Sequence, residues 1–193
     1  MEQIYGKLTD NALVELTKKN EDAFAVLVDR YWQRLFDFTR RISYFSNEDI
    51  EDILQEVFIK VYRYLNDFNG DLKFSTWIYQ ITRNCTIDAI RKKQVRPQIA
   101  QMEDREFVNL FKETLSLENE FMLKDNLQQV KQIINELPLE YKEIMILRFL
   151  EEKNYEEIMD IIKKPKGTVA SLISRGKKIV WERAKELKIA TES

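Results

Sequence analysis

The segment FSTWIYQITRN, Phe74 to Asn84, and CTIDAIRKKQVR directly after it combine aromatic, hydrogen-bonding and cationic side chains. Phe74, Trp77 and Tyr79 are interleaved with Lys73, Arg83, Arg91, Lys92, Lys93 and Arg96. Aromatic faces stack bases and cations track phosphates, so the mixture suits single-stranded DNA. Thr76, Gln80 and Asn84 add groups able to read the edge of an unstacked base. The plainer alternative puts Trp77 in a core with Ile81 and leaves the basic run as a solvated helix end. A second set lies near the C-terminus. Thr168, Ser171 and Ser174 precede or flank Arg175, Lys177, Lys178, Arg183 and Lys185, and Lys166 stands just before them. Hydroxyls and an arginine toward base edges, with lysines toward phosphates, is the layout of a helix in the major groove. The third set is Asp52, Gln55, Glu56, Ile59 and Arg63, spaced by 3, 1, 3 and 4 residues. On a helix these form a polar stripe with one apolar residue in its middle, which suits a protein partner with a basic surface. The alternative is a solvated face with one stray apolar residue.

Catalytic chemistry finds no comparable set. The chain has no His and a single Cys, which removes the commonest general base, the commonest metal ligand and any internal disulfide. No nucleophile–base constellation and no metal-ligand cluster is visible, so no catalytic residue, metal, cofactor or small-molecule substrate is expected. Cys85 reads as an inert, partly buried thiol. The N-terminus, MEQIYGKLTD, lacks a basic start and apolar core, and no window of 18 apolar residues occurs. Neither a signal peptide nor membrane insertion is therefore expected, and the location expected is cytoplasmic.

The elements that must carry these sets are helical. In 193 residues there are only 4 Gly and 3 Pro, a scarcity that helices tolerate best, and the expected fold class is all-α. Phe24, Leu27, Val28, Tyr31, Leu35 and Ile42 predict a helix from Asp22 to about Arg41. Ile50, Ile53, Leu54, Val57, Phe58, Val61 and Leu65 predict a second, with acids in its first turns where the helix dipole favours them. A loop is expected around Gly70. Ser75 is the expected N-cap of a third helix that breaks near Asn84 and stops at Pro97. Further on, Leu123, Leu127, Val130, Ile134 and Leu137 predict a helix, and Pro138 suits the first turn of the next. Asn154 and Glu157 form a capping-box pattern. Lys164 to Gly167 reads as a turn, with Thr168 capping a last helix of Val169, Leu172, Ile173, Val180, Ala184 and Leu187. Two short helices around a Gly-containing turn, the second one basic, is the helix-turn-helix pattern.

Charge divides the chain in the same way. Lys plus Arg is 31 and Asp plus Glu is 33, a net charge of −2. Yet Lys73–Pro97 is net +5 and Lys163–Ser193 net +6, each preceded by an acidic stretch. The expected organisation is two small helical domains, 1–97 and 125–193, joined by an acidic linker, 98–124. Phe107, Leu110, Phe111, Leu115 and Phe121 punctuate that join, which either orders on a partner or forms a packed helix over Phe107–Leu117. As a coil it would span ~30 Å and at full extension ~90 Å.

At this level of detail the sequence resembles the extracytoplasmic-function (group 4) sigma factors of bacterial RNA polymerase. EDAFAVLVDRYWQRLFDFTRR, EDILQEVFIKVYRYLNDF and FSTWIYQITRNCTIDAIRKK resemble the family's region two in order and spacing. LPLEYKEIMILRFLEEKNYEEIMDIIKKPKGTVASLISRGKK resembles region four. The resemblance implies a transcription initiation factor. Asp52, Gln55, Glu56, Ile59 and Arg63 would dock on a coiled coil of core polymerase. Lys73, Thr76, Trp77, Gln80, Arg83, Asn84, Arg91, Lys92 and Lys93 would melt and hold the minus-ten element. Lys166, Thr168, Ser171, Ser174, Arg175, Lys177 and Lys178 would enter the major groove at the minus-thirty-five element. The two elements lie about two DNA turns apart, ~70 Å. Family members are commonly held inactive by an anti-sigma partner, so the resemblance makes room for one here. Three positions depart from the family's recognition helix: Ala170 and Leu172 stand where basic residues are usual, and Gly176 where Ala is usual. Two alternatives remain at this stage, a helix-turn-helix regulator independent of polymerase and a sigma-like protein-binding adaptor.

Overall fold

The computed structural model describes residues 5–43, 45–68, 70–93, 102–115 and 126–189. Among them are nine α-helices, one short 3-10 turn and no strand, as expected of an all-α chain. They form two compact units, Met1–Arg96 and, but for the three residues Asp160–Ile162, Pro97–Ser193.

The first unit holds α1 (Asp10–Thr17), α2 (Asp22–Ile42), α3 (Asn47–Tyr64) and α4 (Phe74–Lys93). Helix α1 starts where the Thr9 hydroxyl accepts the Ala12 N–H at 3.3 Å. Asp10 pins it to α2, accepting from the Arg30 guanidinium at 2.6 Å and from the Tyr31 hydroxyl. Burial and that carboxylate push the Tyr31 phenol well above its ordinary range. The α2 stripe of Leu27, Tyr31, Leu35, Phe38 and Ile42 closes on Ile50, Leu54, Val57 and Val61 of α3 and on Phe74, Ile78 and Tyr79 of α4. Ser46 caps α3 by accepting the Asp49 N–H at 3.2 Å. Gly70 occupies the left-handed region at φ 76° in the loop that follows, a conformation glycine adopts without strain.

Two expectations for α4 need correction. The Lys73 carbonyl accepts the Thr76 and Trp77 N–H groups at 2.9 and 3.1 Å, so Ser75 lies inside the first turn rather than capping it. The helix also runs unbroken past Asn84. Thr82 and Thr86 bond back to the carbonyls of Ile78 and Thr82 at 2.8 Å, which satisfies their buried hydroxyls within one continuous helix. The expected stop at Pro97 lies outside the described residues.

The second unit holds α5 (Asp104–Leu115), α6 (Leu127–Glu136), α7 (Leu139–Phe149), all but the last three residues of α8 (Tyr155–Ile162), and α9 (Lys166–Glu186). Of the two readings of the join, its first part is a packed helix: α5 lies against α6, α7 and α9 through Phe107 and Phe111. Leu123 and Phe121, expected in helix and join, lie outside the described residues. Pro138 stands one position before α7. The capping box is present in full, Asn154 accepting from the Glu157 N–H at 2.9 Å and Glu157 from the Asn154 N–H at 3.0 Å.

The turn between α8 and α9 differs from expectation. The left-handed residue is Lys163, at φ 53°, and the Lys164 N–H reaches back to the Met159 carbonyl at 3.3 Å. Pro165 is the N-cap of α9, its carbonyl accepting from Thr168 and Val169 at 2.9 and 3.0 Å. Lys166 and Gly167 are already helical and Thr168 caps nothing. The fixed φ of proline fits a helix start, so the turn closes two residues earlier than the glycine suggests. Gly176 answers to packing instead: a Cβ there would meet the Met145 sulfur at 3.2 Å and the Tyr141 Cβ at 3.7 Å, so α7 and α9 approach closely.

Candidate functional site

Helix α4 sorts its residues by angle. Trp77, Gln80, Ile81, Asn84, Asp88 and Arg91 recur at steps of three and four, one stripe along the helix. Asn84 and Arg91 are exposed, and Trp77 and Gln80 half-buried. The Trp77 ring rests on Phe68 at 5.0 Å and Phe74 at 5.8 Å between centroids. One side of Trp77 thus packs on the bundle, against Phe68 and Phe74, and the remainder faces out. Arg83 reaches the Asn84 side chain at 3.4 Å, and Lys73 is exposed at the start of the helix.

The structure does not bring every expected residue to that face. Phe74 is 1% exposed and Tyr79 0%, both packed on other rings of the first unit. Thr76 is 1% exposed. A step of four advances 40° beyond a full turn, so Thr76 sits about 80° from Asn84 and falls on the buried side. Lys92 and Lys93 are exposed but lie off the stripe. Lys93 pairs with Asp49 of α3 and covers the Phe45 ring. Its ammonium holds the Asp49 carboxyl below the usual carboxylate range, and Arg91 lies 3.6 Å from Asp88.

The α3 stripe is as the spacing predicts. Asp52, Gln55, Glu56, Ile59 and Arg63 are all exposed, opposite Ile50, Leu54, Val57 and Val61. Ile59 keeps 52% of its surface in solvent. Glu56 accepts a hydrogen bond from Lys60, 2.6 Å away, which holds its carboxyl below the ordinary range. The same ammonium lies 3.3 Å from the Cys85 sulfur. Burial nevertheless pushes that thiol up, which keeps it protonated and unreactive.

On α9, Thr168, Ser171, Arg175 and Lys178 follow steps of three, four and three, with Ser174 on the flank. Thr168, Ser174, Arg175 and Lys178 are exposed and Ser171 half-buried, opposite Val169, Leu172, Ile173 and Val180. Lys177 stands apart, its ammonium 5.1 Å from the Phe149 ring centre. Leu172 is 7% exposed, so of the two departures from the family's basic residues only Ala170 faces solvent. Lys166 is exposed at the first turn.

Sequence reasoning passed over exposed residues beside these faces. Tyr62 (41%) and Tyr64 (55%) extend the α3 surface beyond Ile59. With Phe24, Ala25 and Val28 of α2, Tyr62 lines an open cup rimmed by Glu21 and Asp29. Lys163 and Lys164 add charge before α9; the KKPK run was their signal. Among the described residues no group of three or more His, Cys, Asp or Glu side chains could hold a metal. No described helix is long and apolar enough to cross a membrane.

Residues 27–96 match the Sigma-70 region 2 family and residues 127–180 the Sigma-70 region 4 family. The ECF RNA polymerase sigma-E factor of Escherichia coli is 35% identical over 188 residues, covering 94% of this chain and 97% of that protein. The ECF RNA polymerase sigma factor SigW of Bacillus subtilis is 32% identical over 178 residues, covering 90% and 95%. Among solved structures, CnrH in complex with the cytosolic domain of CnrY covers 92% of this chain and 97% of its own, at TM-score 0.65 and 18% identity. The sigma factor RpoE bound to the anti-sigma factor NepR, from Bartonella quintana, covers 84% and 96% at TM-score 0.58 and 20% identity. Those two likenesses concern the fold; the two region matches and the full-length relatives together show that the chain belongs to the extracytoplasmic-function sigma factors, transcription initiation factors that act with bacterial RNA polymerase.

Proposed function

We propose that the chain docks on core polymerase through Asp52, Gln55, Glu56, Ile59 and Arg63 of α3, and captures the melted minus-ten strand on the α4 stripe of Trp77, Gln80, Asn84 and Arg91. Lys73, Arg83, Lys92 and Lys93 supply phosphate contacts around that stripe. The third contact is α9, with Thr168, Ser171, Ser174 and Arg175 toward the minus-thirty-five bases. Lys166, Lys177 and Lys178 meet the backbone there. Thr76, buried in the free protein, supports the helix rather than touching DNA. The observation that carries the reading is the α4 stripe, where a half-exposed indole, an exposed amide and an exposed guanidinium lie in line.

No bond is made by this chain. Extruding a base costs a few kcal/mol, which stacking on Trp77 and phosphate contacts offset. The polymerase performs the chemistry, and the cytoplasm is where both meet. The exposed α3 stripe and basic faces would also suit capture by an anti-sigma protein, as the RpoE complex with the anti-sigma factor NepR suggests by analogy.

Run-off transcription with bacterial core polymerase on selected promoter fragments tests this. Gln55→Ala/Ile59→Lys should lose core binding. Asn84→Ala should keep core binding and lose strand opening, read by permanganate reactivity of thymines near the start site. Absence of core binding by the unaltered chain would favour a plain helix-turn-helix regulator. Core binding without any promoter use would favour an adaptor.

A further inference from the structure

One ammonium in the first unit bridges the α3 stripe and the α4 stripe. Lys60 of α3 donates to the Glu56 carboxylate at 2.6 Å and lies 3.3 Å from the Cys85 sulfur of α4. Glu56 belongs to the exposed α3 stripe, and Cys85 directly follows Asn84 of the α4 stripe. At about 100° per residue, Cys85 lies ~100° and Lys92 ~80° round α4 from Asn84, on the same side. The Lys60 ammonium therefore stands level with Asn84, on the flank of the stripe that faces α3. Lys60 first, and Lys92 after it, hold the Glu56 carboxyl below its ordinary range. Glu56 in turn raises the Lys60 pKa, so the ammonium stays charged. Two cations thus share one carboxylate between the docking face and the capture helix.

A thiol is a weak acceptor, so Glu56 is the stronger of the two partners that Lys60 bridges. While that carboxylate has no cation from elsewhere, it neutralises Lys60 and repels a phosphate approaching along α4. A polymerase face that brings a cation to the acidic α3 stripe would neutralise Glu56 instead. The Lys60 charge is then left for a phosphate of the strand held at Trp77 and Asn84. Both side chains keep much of their surface in solvent, 39% for Lys60 and 55% for Glu56, so neither covers a core. An exposed pair four residues apart contributes little to a helix, and breaking it costs the fold little.

We propose that Lys60 is a gated phosphate contact: Glu56 holds and neutralises it in the free chain, and the docking of core polymerase on Glu56 hands its charge to the minus-ten strand beside Asn84. This rests on the docking and strand-capture reading above. The test is binding of a labelled single strand spanning the minus-ten element of a selected promoter, titrated against salt. It is measured for the free full-length chain and for its holoenzyme with core polymerase. Lys60→Met keeps an unbranched stem. It should weaken strand binding by the holoenzyme about fivefold or more and reduce the salt slope by ~0.7, while the free chain changes less than about twofold. Lys60→Arg should restore binding by the holoenzyme. In the free chain Glu56→Gln should raise strand affinity about fivefold, beyond any rise from Glu51→Gln, which removes the same charge from another exposed position of α3. Glu56→Gln/Lys60→Met should lose that gain. Equal losses from Lys60→Met in chain and holoenzyme would make Lys60 an ungated contact and overturn the proposal. So would an undiminished holoenzyme, or no gain from Glu56→Gln. Unfolding midpoints should stay at the parent's value; a clear drop would assign the pair to the fold and also overturn it. A chain that binds no core polymerase, or a holoenzyme that takes no strand, overturns the proposed function and this inference with it.

Discussion

Lys142 offers a quantitative test of how the second unit is built. Its side chain is 1% exposed on α7, with Nζ 3.3 Å from the Asn135 carbonyl near the end of α6. Burial lowers its pKa from 10.5 to about 8. In the unfolded chain the group keeps the higher value, so between these two pH values the unfolded state binds more protons. Stability therefore rises with pH across that window. Below pH 8 the folded state bears the whole penalty of a buried ammonium, ~3 kcal/mol for a shift of this size. Lys142→Met removes the charge and keeps an unbranched apolar stem. At pH 7 it should stabilise the unit by ~1–3 kcal/mol, the lower figure allowing for the lost bond to Asn135. Urea unfolding would be followed by Trp181 fluorescence in a background carrying Trp32→Phe and Trp77→Phe. The parent should gain stability from pH 7 to 10, and the variant should not. Parallel pH profiles, or a destabilised variant at pH 7, would refute the reasoning.

Other substitutions separate contact from fold. Ile59→Ser should lower the melting temperature only slightly, since about half of the side chain already faces solvent, and should weaken core-polymerase binding roughly four- to twelvefold, because half of the ~1.5–3 kcal/mol of a buried isoleucine is available to a partner; a titration of fluorescently labelled chain reads it. Trp77→Ala should lose both strand opening and ~1–2 kcal/mol of stability, since the ring packs on Phe68 and Phe74; Asn84→Ala should lose opening with no shift in unfolding midpoint. Asp10→Ala should cost ~1–3 kcal/mol by stranding the Tyr31 hydroxyl, while Arg30 keeps its bonds to the Gly6 and Leu8 carbonyls, seen as a lower thermal midpoint. Gly176→Val should destabilise by ~1–3 kcal/mol through Met145, whereas Gly176→Ala sets a propensity gain of ~1 kcal/mol against a small shift of that side chain and should change unfolding little.

Periodicity and composition by themselves determined the helical class, the exposed α3 stripe, the capping box at Asn154 and the basic face of α9. These features repeat at the helix period or depend on neighbours three or four residues apart, so local chemistry decides them. Tertiary structure decided which aromatic of α4 remains available. Phe74, Trp77 and Tyr79 have similar apolar character, but Tyr31 and Phe38 of α2 take up Phe74 and Tyr79, while Trp77 meets only the rings at the start of the helix and stays partly open. Thr76 and Asn84 likewise look equivalent in the sequence, yet angular drift over two turns buries one and exposes the other. The turn before α9 went to Lys163 rather than to a glycine, because the bond from Lys164 to Met159 and the fixed φ of Pro165 together set where one helix stops and the next begins. The first part of the acidic join became helix because unit-two surface was there to cover Phe107 and Phe111. An amphipathic segment carries its apolar stripe in its own sequence, but the surface that buries the stripe is assembled only by residues far along the chain.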